Sequence, residues 1–248
     1  MDGPACLSEI DKERFGIRVA RANRTSVGEF RELLNFCESN KVDLLIARCD
    51  TNELRLAQKM ESEGFFLTDT LIYYKFELGK KEIPEDSGVA ILRPVRRGED
   101  EPEVRKIAEG SFKGYFGHYH ADARLDRKKC DEAYVSWATR SCTMRDVADA
   151  VIVAEHNGRM AGFATLRLNS KEEGEGVLFG VAPEAQGLGI YRSFMIHGMR
   201  WCQEQSARQM VVSTQITNLA VQKVWCRVGF EPNQSLYTFH KWFGSEGE

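Results

Sequence analysis

The chain has 248 residues, 42% of them hydrophobic, and a formal net charge of −3. This length allows one large or two small domains with a real core. The acidic balance argues against nucleic acid, whose phosphates ask for a basic face, and no apolar run approaches the length of a membrane span.

The N-terminus, Met1-Asp2-Gly3-Pro4-Ala5-Cys6, lacks the basic and apolar regions of a signal peptide, so the expected compartment is the cytoplasm. Gly16 to Ala22 reads as a strand. Ser26 to Glu38 sets Val27, Phe30, Leu33, Leu34 and Cys37 at helical spacing. Val42 to Ala47 is a buried strand. Thr51 to Glu63 is a helix capped by Thr51 or Asn52 and ended by Gly64. Phe65 to Phe76 is one long β-branched and aromatic strand. A charged, aperiodic stretch, Gly79-Lys80-Lys81-Glu82-Ile83-Pro84-Glu85-Asp86-Ser87-Gly88, reads as a linker and divides the chain into domains 1–84 and 85–248.

The second part opens with a strand from Val89 to Pro94 and a helix from Glu101 to Phe112. A polar, aromatic segment, Lys113 to Asp126, precedes a helix from Lys129 to Ser141. Strands follow at Ala150 to Glu155 and Met160 to Leu168, joined by the hairpin signal Asn157-Gly158. Lys171 to Gly176 reads as a polar turn, with Glu175 to Val181 as the next strand. Phe179-Gly180-Val181-Ala182-Pro183 then leads through Gly187 and Gly189 into a helix from Ile190 to Gln205. Met210 to Gln215 is a strand, Asn218 to Val228 a helix, and Phe230 to Phe243 a terminal strand. The pattern of a helix ending in Gly-Phe and feeding an aromatic strand occurs twice, at Gly64-Phe65 and Gly229-Phe230. It suggests that the N-terminal part is a shortened copy of the C-terminal half-fold.

The turn from Pro183 to Tyr191 suits a phosphate. Glycines let a backbone approach a ligand closely, and the N–H groups at a helix start attract anions. Seven cysteines, an odd number without a C-x-x-C pair, suggest neither a disulfide framework nor a structural zinc site.

This order of elements resembles the GCN5-related N-acetyltransferase (GNAT) superfamily across residues 88–243. The family's signature appears as Gln186-Gly187-Leu188-Gly189-Ile190-Tyr191. Val181-Ala182-Pro183 before it and Asn218 with Gly229-Phe230 after it also match. The resemblance implies an α/β fold class with a mixed (α+β) sheet: a GNAT fold preceded by a smaller, truncated GNAT-like α/β domain. It implies acetyl-CoA as donor and no metal. The turn at Gln186, Gly187, Leu188, Gly189, Ile190 and Tyr191 would hold the pyrophosphate. The strand at Phe179, Gly180 and Val181 would pair with the amide-bearing pantetheine arm, and Asn218 and Trp225 would border that arm. The layout is similar to that of TDP-fucosamine acetyltransferase and its relatives, which implies an amino-sugar nucleotide as acceptor. The same reaction on a protein amino terminus, a polyamine or an antibiotic is one rival reading; a non-catalytic acyl-CoA-binding module is another. A homo-oligomer is compatible with each.

Amide formation from a thioester needs a neutral amine, a route for its proton and a leaving thiolate. His118 and His120, in Phe116-Gly117-His118-Tyr119-His120-Ala121-Asp122, titrate in the useful range and lie where the family binds its acceptor. Glu175 is the other base candidate, and Arg124 or Arg167 could pair with an anionic group on the acceptor. The resemblance places the proton donor to sulfur at the position of Trp225, whose indole cannot titrate. The thiolate therefore leaves unassisted, Tyr191, Cys226 or a water substitutes, or the transferase activity is lost.

Overall fold

The computed structural model describes residues 3–23 and 26–244; Met1 and Asp2 of the N-terminal segment read above lie outside them. Contacts divide the chain into two compact units. One holds Met1–Leu71, Phe116–Cys130 and Gln234–Glu248, and the other Ile72–Tyr115 and Asp131–Asn233. This differs from a linear division at residue 84, because the C-terminal strand pairs with an N-terminal one, as described next.

In the first unit, β1 (Ala5–Leu7) pairs antiparallel with β2 (Val19–Ala22), and β2 runs parallel to β3 (Leu44–Asp50). The far side of β3 takes the second half of β10 (Glu231–Trp242), from Leu236 opposite Asp50 to Trp242 opposite Leu44. Between β1 and β2 lies α1 (Glu9–Phe15). Sequence periodicity misses this helix because it has only two buried residues, one of them the acid Asp11. Ser8 caps it, its hydroxyl accepting from the Asp11 N–H at 3.4 Å. Gly16 ends it at φ 75° rather than opening a strand. Two amphipathic helices, α2 (Phe30–Ser39) and α3 (Leu54–Ser62), bury Phe30, Leu33 and Cys37, and Leu56, Ala57 and Met60, against Leu45, Ala47 and Cys49 of β3. Each fully buried Leu or Phe there stabilises by roughly 1.5–3 kcal/mol relative to exposure.

Neither Thr51 nor Asn52 caps α3. Glu53 holds the cap position without a side-chain bond. The Asp50 carboxylate instead accepts from the Asn52 N–H at 2.9 Å, and the Thr51 hydroxyl meets that of Ser235 at 2.7 Å. The turn is therefore stabilised by the preceding aspartate and a neighbouring strand.

The second unit takes in the later half of β4 (Phe66–Glu77). Its strands lie in the order β4-β9-β8-β7-β6-β5. They are β5 (Ile91–Pro94), β6 (Ala150–His156), β7 (Arg159–Leu168), β8 (Glu173–Val181) and β9 (Gln209–Gln215). β5 to β8 form an antiparallel meander, whereas β8 and β9 are parallel. The hairpin between β6 and β7 turns through Asn157 at φ 51° and Gly158 at φ 73°, the mirror-image turn that such sequences favour. Glu173 to Gly176, read as part of a polar turn, are strand. All four pair with β9 and Gly174 to Gly176 also pair with β7, so the turn is confined to the residues just before Glu173. Helices α4 (Glu101–Ser111), α5 (Arg127–Thr143), α6 (Ile190–Glu204) and α7 (Leu219–Arg227) complete the set. α4 contributes Val104, Ile107 and Ala108 to one buried cluster, and α6 and α7, with the C-cap residue Val228, contribute Met195, Met199, Cys202 and Trp225 to another.

The two Gly-Phe signals adopt one geometry. After α3, Gly64 has φ 80°, its N–H bonds Glu61 O at 3.0 Å, and the Phe65 N–H bonds Met60 O at 3.0 Å. After α7, Gly229 has φ 96°, its N–H bonds Cys226 O at 3.1 Å, and the Phe230 N–H bonds Trp225 O at 3.0 Å. Both are Schellman caps, in which a left-handed glycine satisfies the last carbonyls of a helix.

Gly162 of β7 lies opposite Val181 of β8, with the Gly180 carbonyl close beside it. A Cβ added at Gly162 would lie 2.8 Å from Gly180 O and 2.8 Å from Phe194 Cε2. The strand backbone cannot yield cheaply, so Gly162→Ala is expected to lose about 1–3 kcal/mol of stability. Urea denaturation checks this; an unchanged midpoint would show that β7 and β8 can separate.

Candidate functional site

β8 and β9 start together and then part. Their parallel register runs from Glu173 opposite Gln209 to Gly176 opposite Val212. Beyond that pair β8 continues to Val181, bonded to β7 from Leu178 opposite Thr165 to Val181 opposite Gly162. A register shift at Thr165/Leu166 leaves Val177 as the extra residue of a bulge just where β9 departs. Among the described residues, β8 from 177 to 181 has no ladder partner on its β9 side. At roughly 3.3 Å per residue this open edge is about 13 Å long.

The edge leads into the glycine turn. Pro183–Ala185 form a short 3₁₀ turn, and Gln186 folds its side-chain amide back onto Val181 O at 3.3 Å. Gly187 at φ 81° and Gly189 at φ 95° then swing the chain into α6, with Gly189 at the N-cap. A Cβ at Gly187 would meet nothing within 4 Å, so glycine is required there by its φ and not by protein packing. Gly180 is the reverse case: its Cβ would come within 2.6 Å of the Phe163 ring, so neighbouring side chains demand it. Among the described residues, the N–H groups of Gly187, Leu188 and Gly189 bond no backbone carbonyl, and Ser193 is the residue that closes the helix ladder onto Gly189 O, at 3.1 Å. The turn therefore presents a run of unclaimed donors at the positive end of a helix dipole. Of its side chains, Leu188 is exposed and Ile190 is buried in the core, so Ile190 can offer a ligand only its backbone.

The linker read in the sequence is tied to this helix. The Ser193 hydroxyl donates to Asp86 Oδ1 at 2.6 Å, and Arg192 donates to Glu85 O at 3.0 Å. Burial opposes ionisation of Asp86, but the Ser193 hydroxyl and His197 hold its carboxyl below the ordinary value.

An aromatic and amide cluster lies further along the unit. The Trp225 Nε1–H donates to the Tyr191 hydroxyl at 3.1 Å, and the Tyr191 ring packs on Phe179 of the open edge with centroids 5.5 Å apart. Burial pushes the Tyr191 phenol above its ordinary pKa while the Trp225 N–H opposes the rise, so the phenol is protonated at neutral pH. Trp225 is buried against Tyr74, whose hydroxyl donates to Gln222 Oε1 at 3.3 Å. Tyr115 donates to Gln215 Oε1. Asn218 occupies the N-cap position of α7 but makes no capping bond; its amide donates to Thr214 Oγ1 at 3.0 Å. Gln215 and Gln222 carry no local sequence signal. Cys226 is exposed.

Glu175 pairs with Arg167 across the ladder, Oε2 to Nη2 at 2.7 Å, with its side chain 15% exposed. Both candidates are thus committed to each other, in the section of β8 that is still paired with β9.

The histidine segment belongs to the first unit, and both histidines are buried. His120 Nδ1 accepts from the Gly117 N–H at 3.2 Å. His118 Nδ1 lies 2.9 Å from His240 Nε2, and His240 Nδ1 lies 2.7 Å from Asp122 Oδ2, which also accepts from Trp242 Nε1–H at 2.9 Å. Arg124 stacks on Trp242 at 4.1 Å. Burial, reinforced by His240, Arg21, Arg48 and His120, pushes His118 well below the ordinary histidine pKa. His240 and Trp242 went unnoticed in the sequence because their partners lie more than a hundred residues away. Among the described residues, no group of three or more His, Cys, Asp or Glu side chains is arranged to hold a metal ion, and no helix is long and apolar enough to cross a membrane.

A model of the acetyltransferase (GNAT) family matches residues 103–230, more than half of the chain. The chain belongs to this family, whose enzymes transfer an acetyl group from acetyl-CoA. The spore coat polysaccharide biosynthesis protein SpsD of Bacillus subtilis (strain 168) is 27% identical over 245 residues, covering 96% of this chain and 81% of SpsD. The mycothiol acetyltransferase of Saccharopolyspora erythraea is 27% identical over 157 residues, covering 62% of this chain and 46% of that protein. Among solved structures, a tandem GNAT protein from the clavulanic acid biosynthesis pathway matches with a TM-score of 0.64 at 14% identity, over 94% of this chain and 77% of that one. This last likeness bears on the fold alone, and it agrees with a GNAT fold preceded by a smaller GNAT-like domain.

His118 makes stability depend on pH. Its folded pKa lies below the unfolded value near 6.5, so the unfolded chain binds the extra proton first. The stability it contributes is whole above that value and is lost as pH falls toward the folded pKa, by at most about 1.4 kcal/mol per pH unit. Thermal unfolding between pH 7.5 and 5 is expected to show this slope in the wild type and a shallower one in His118→Gln. Parallel slopes would mean that His118 is solvated.

Proposed function

We propose that the open edge of β8 and the turn into α6 bind acetyl-CoA, and that the chain acetylates the primary amine of an amino sugar, most naturally a nucleotide-linked one. The observation that carries the donor half is the parting of β8 from β9 directly upstream of a turn with two left-handed glycines and unclaimed N–H groups. Backbone N–H groups from Gly187 to Tyr191 would hold the pyrophosphate. The edge at Phe179, Gly180 and Val181 would bond the amides of the pantetheine arm, as an added strand does. The Gln186 side chain stiffens the turn, and Asn218 and Trp225 border the arm. When bound, acetyl-CoA supplies an activated acyl group.

For the acceptor, support comes from the name of SpsD, which refers to polysaccharide biosynthesis and whose length is largely covered by this chain. Of the base candidates, His118 and His120 are imidazoles of one segment, whereas the Glu175 carboxylate is already paired with Arg167. The Tyr191 phenol is the group that replaces a titrating acid at Trp225. The indole N–H occupies a lone pair of the phenol oxygen, which leaves the phenol's own proton to be donated elsewhere. The same indole favours a second reading, an acyl-CoA-binding module without turnover.

Acetyl-CoA should raise the melting temperature, since a ligand of the folded state stabilises it. Gly189→Glu, which puts a side chain and a negative charge at φ 95°, should abolish that rise. A wild-type melting curve indifferent to saturating acetyl-CoA would sink the reading.

Tyr191→Phe should keep the acetyl-CoA shift but lower kcat by about 10²–10⁴, the usual effect of losing a general acid. Thiol release across a panel of amino sugars measures this. Undiminished turnover would remove Tyr191 from the chemistry, and absence of turnover in the wild type would favour the binding module.

A further inference from the structure

Gln215 is the last residue of β9 and lies past Val212, where the pairing with β8 ends. Side chains alternate along a strand. Met210 and Val212 pack into the cluster that α6 and α7 line, so Gln215 turns to the opposite face, where its Oε1 accepts from the Tyr115 hydroxyl. The residue is only 6% exposed. Among the described residues its carboxamide nitrogen has no hydrogen-bond partner, yet that nitrogen is not sealed away. We propose that Gln215 is a specificity-determining residue whose Nε2–H bonds a hydroxyl oxygen of the acceptor, with Tyr115 as the positioning residue that keeps the amide turned that way. The proposal rests on the acetyltransferase reading above and adds to it the feature by which the acceptor is chosen.

The placement follows from how the gap between β8 and β9 is bridged. A Cβ added to Gly180, on the open edge, would lie 2.8 Å from Ser111 Oγ, so the end of α4 rests on that edge. The chain then turns, with the Phe112 N–H bonding Ala108 O at 2.9 Å and the Tyr115 N–H bonding Phe112 O at 3.0 Å. Tyr115, only a few residues beyond Ser111, reaches Gln215 on β9. Residues 111–115 therefore cross from one parted strand to the other on the α4 face. Aromatic neighbours hold the Tyr115 ring: Tyr134 of α5 lies edge-on with centroids 4.7 Å apart, and Phe112 does so at 5.8 Å. Tyr191 stands on the α6 face, against Phe179. Burial is the main influence raising its phenol, and Tyr115 adds to that rise. The two hydroxyls act on each other where, among the described residues, no ladder closes the sheet between them. The Gln215 amide thus borders the same opening as the edge assigned to acetyl-CoA, from the face opposite Tyr191.

A carboxamide has an oxygen that accepts and a nitrogen that donates. An unrestrained glutamine can therefore present either end to a ligand. Tyr115 anchors the oxygen of Gln215, and the end left over only donates. A donor bonds the lone pair of a hydroxyl oxygen. It offers nothing to an ammonium group, which carries N–H donors and no lone pair. A ligand that displaces water from a buried donor without bonding it leaves that donor unpaired, which is costly. The site therefore rejects a ligand that lacks the oxygen as well as favouring one that has it. This arrangement selects an amine with a hydroxyl near the reacting nitrogen, as amino sugars have, over an aliphatic polyamine.

The test uses the full-length wild type beside Gln215→Met, which keeps the length of the side chain and removes the donor, and Tyr115→Phe, which releases the amide. Thiol release gives kcat/KM for a panel of free and nucleotide-linked amino sugars, for analogues of the fastest one that each lack one hydroxyl, and for 1,4-diaminobutane. The wild type is expected to lose at least about tenfold on one of those analogues and on 1,4-diaminobutane. Gln215→Met should lose the same factor on the parent sugar and nothing on that analogue, so that the two become equal substrates. Tyr115→Phe should narrow the gap between the sugar and 1,4-diaminobutane, because the amide can then turn its oxygen to an ammonium group. Both variants should keep the acetyl-CoA melting shift. A loss in Gln215→Met that is equal for every acceptor means a packing role and overturns the proposal. A wild type that accepts every analogue as well as the parent, prefers 1,4-diaminobutane or turns over no amino sugar while acetylating another amine also overturns it, whether or not the variants fold. A wild type that binds no acetyl-CoA, or releases no thiol with any amine, overturns the underlying reading instead.

Discussion

A strand inside a sheet that loses one neighbour exposes a row of amides, and buried amides must find partners. β8 meets that constraint at Gly176, where β9 leaves and a bulge at Val177 marks the departure. The rest of the second unit accommodates the gap. β7 holds the other side of β8 rigid, so the open edge cannot drift closed. That rigidity depends on close contact between strands: a Cβ at Gly162 would collide with the Gly180 carbonyl and the Phe194 ring, and one at Gly180 with the Phe163 ring. The continuation of β8 is a turn whose two glycines are conformational requirements, and it delivers the chain into α6 with its first amides unclaimed. Edge and turn are consecutive segments of one chain, so their spacing is fixed by covalent geometry. On the proposed reading, that fixed spacing suits a long, amide-bearing ligand with an anionic end.

The glycine turn was legible in the sequence because the interactions that define it are local, whereas the edge at Phe179 to Val181 was expected only through the family resemblance, since it depends on where β9 departs. Val181-Ala182-Pro183 stops a strand, Gly187 and Gly189 supply positive φ, and Ile190 begins a helix. The Gly-Phe signals were legible for the same reason, since a Schellman cap spans six residues. Where the reading of the chain departed from the structure, tertiary partners had overridden local preference. Thr51 and Asn52 are good capping residues, yet Asp50 and Ser235 claim them. Asn218 stands at a cap position, yet its amide turns to Thr214. Glu173 to Gly176 look like a turn by composition, yet strands on both sides enlist them. α1 escaped notice because its inward face is one phenylalanine and an acid, a pattern that hydrophobic periodicity cannot register.

That acid explains how the histidine segment is held. Asp11 is fully buried, which would be costly for an isolated carboxylate. It is compensated by Arg21 at 2.7 Å, by the Ser8 hydroxyl at 2.7 Å and by the Tyr119 hydroxyl at 2.6 Å. Arg21 in turn donates to Tyr119. Burial is the largest influence on the Tyr119 phenol, pushing it up to about 12, so it remains a neutral donor. A buried ionic cluster of this kind contributes little net stability, but losing one member costs about 3–5 kcal/mol because a charge is left unpaired. Such a cluster is a poor way to strengthen a fold and an effective way to fix an orientation.

What it orients is the neighbouring residue. Tyr119 is anchored at its hydroxyl by α1 and β2, and its ring lies against that of His118. His118 is thus fixed on its face by Tyr119 and on its Nδ1 edge by His240, which leaves one edge of the imidazole uncommitted. Two buried polar networks, built from α1 and β2 on one side and from β10 on the other, converge on consecutive residues of a loop that has no regular structure of its own. Apolar side chains would hold that loop at less desolvation cost. The expense is intelligible if the direction of a single nitrogen lone pair matters, because hydrophobic contact sets position but not tautomer, and only a chain of donors and acceptors ending in a fixed charge sets both.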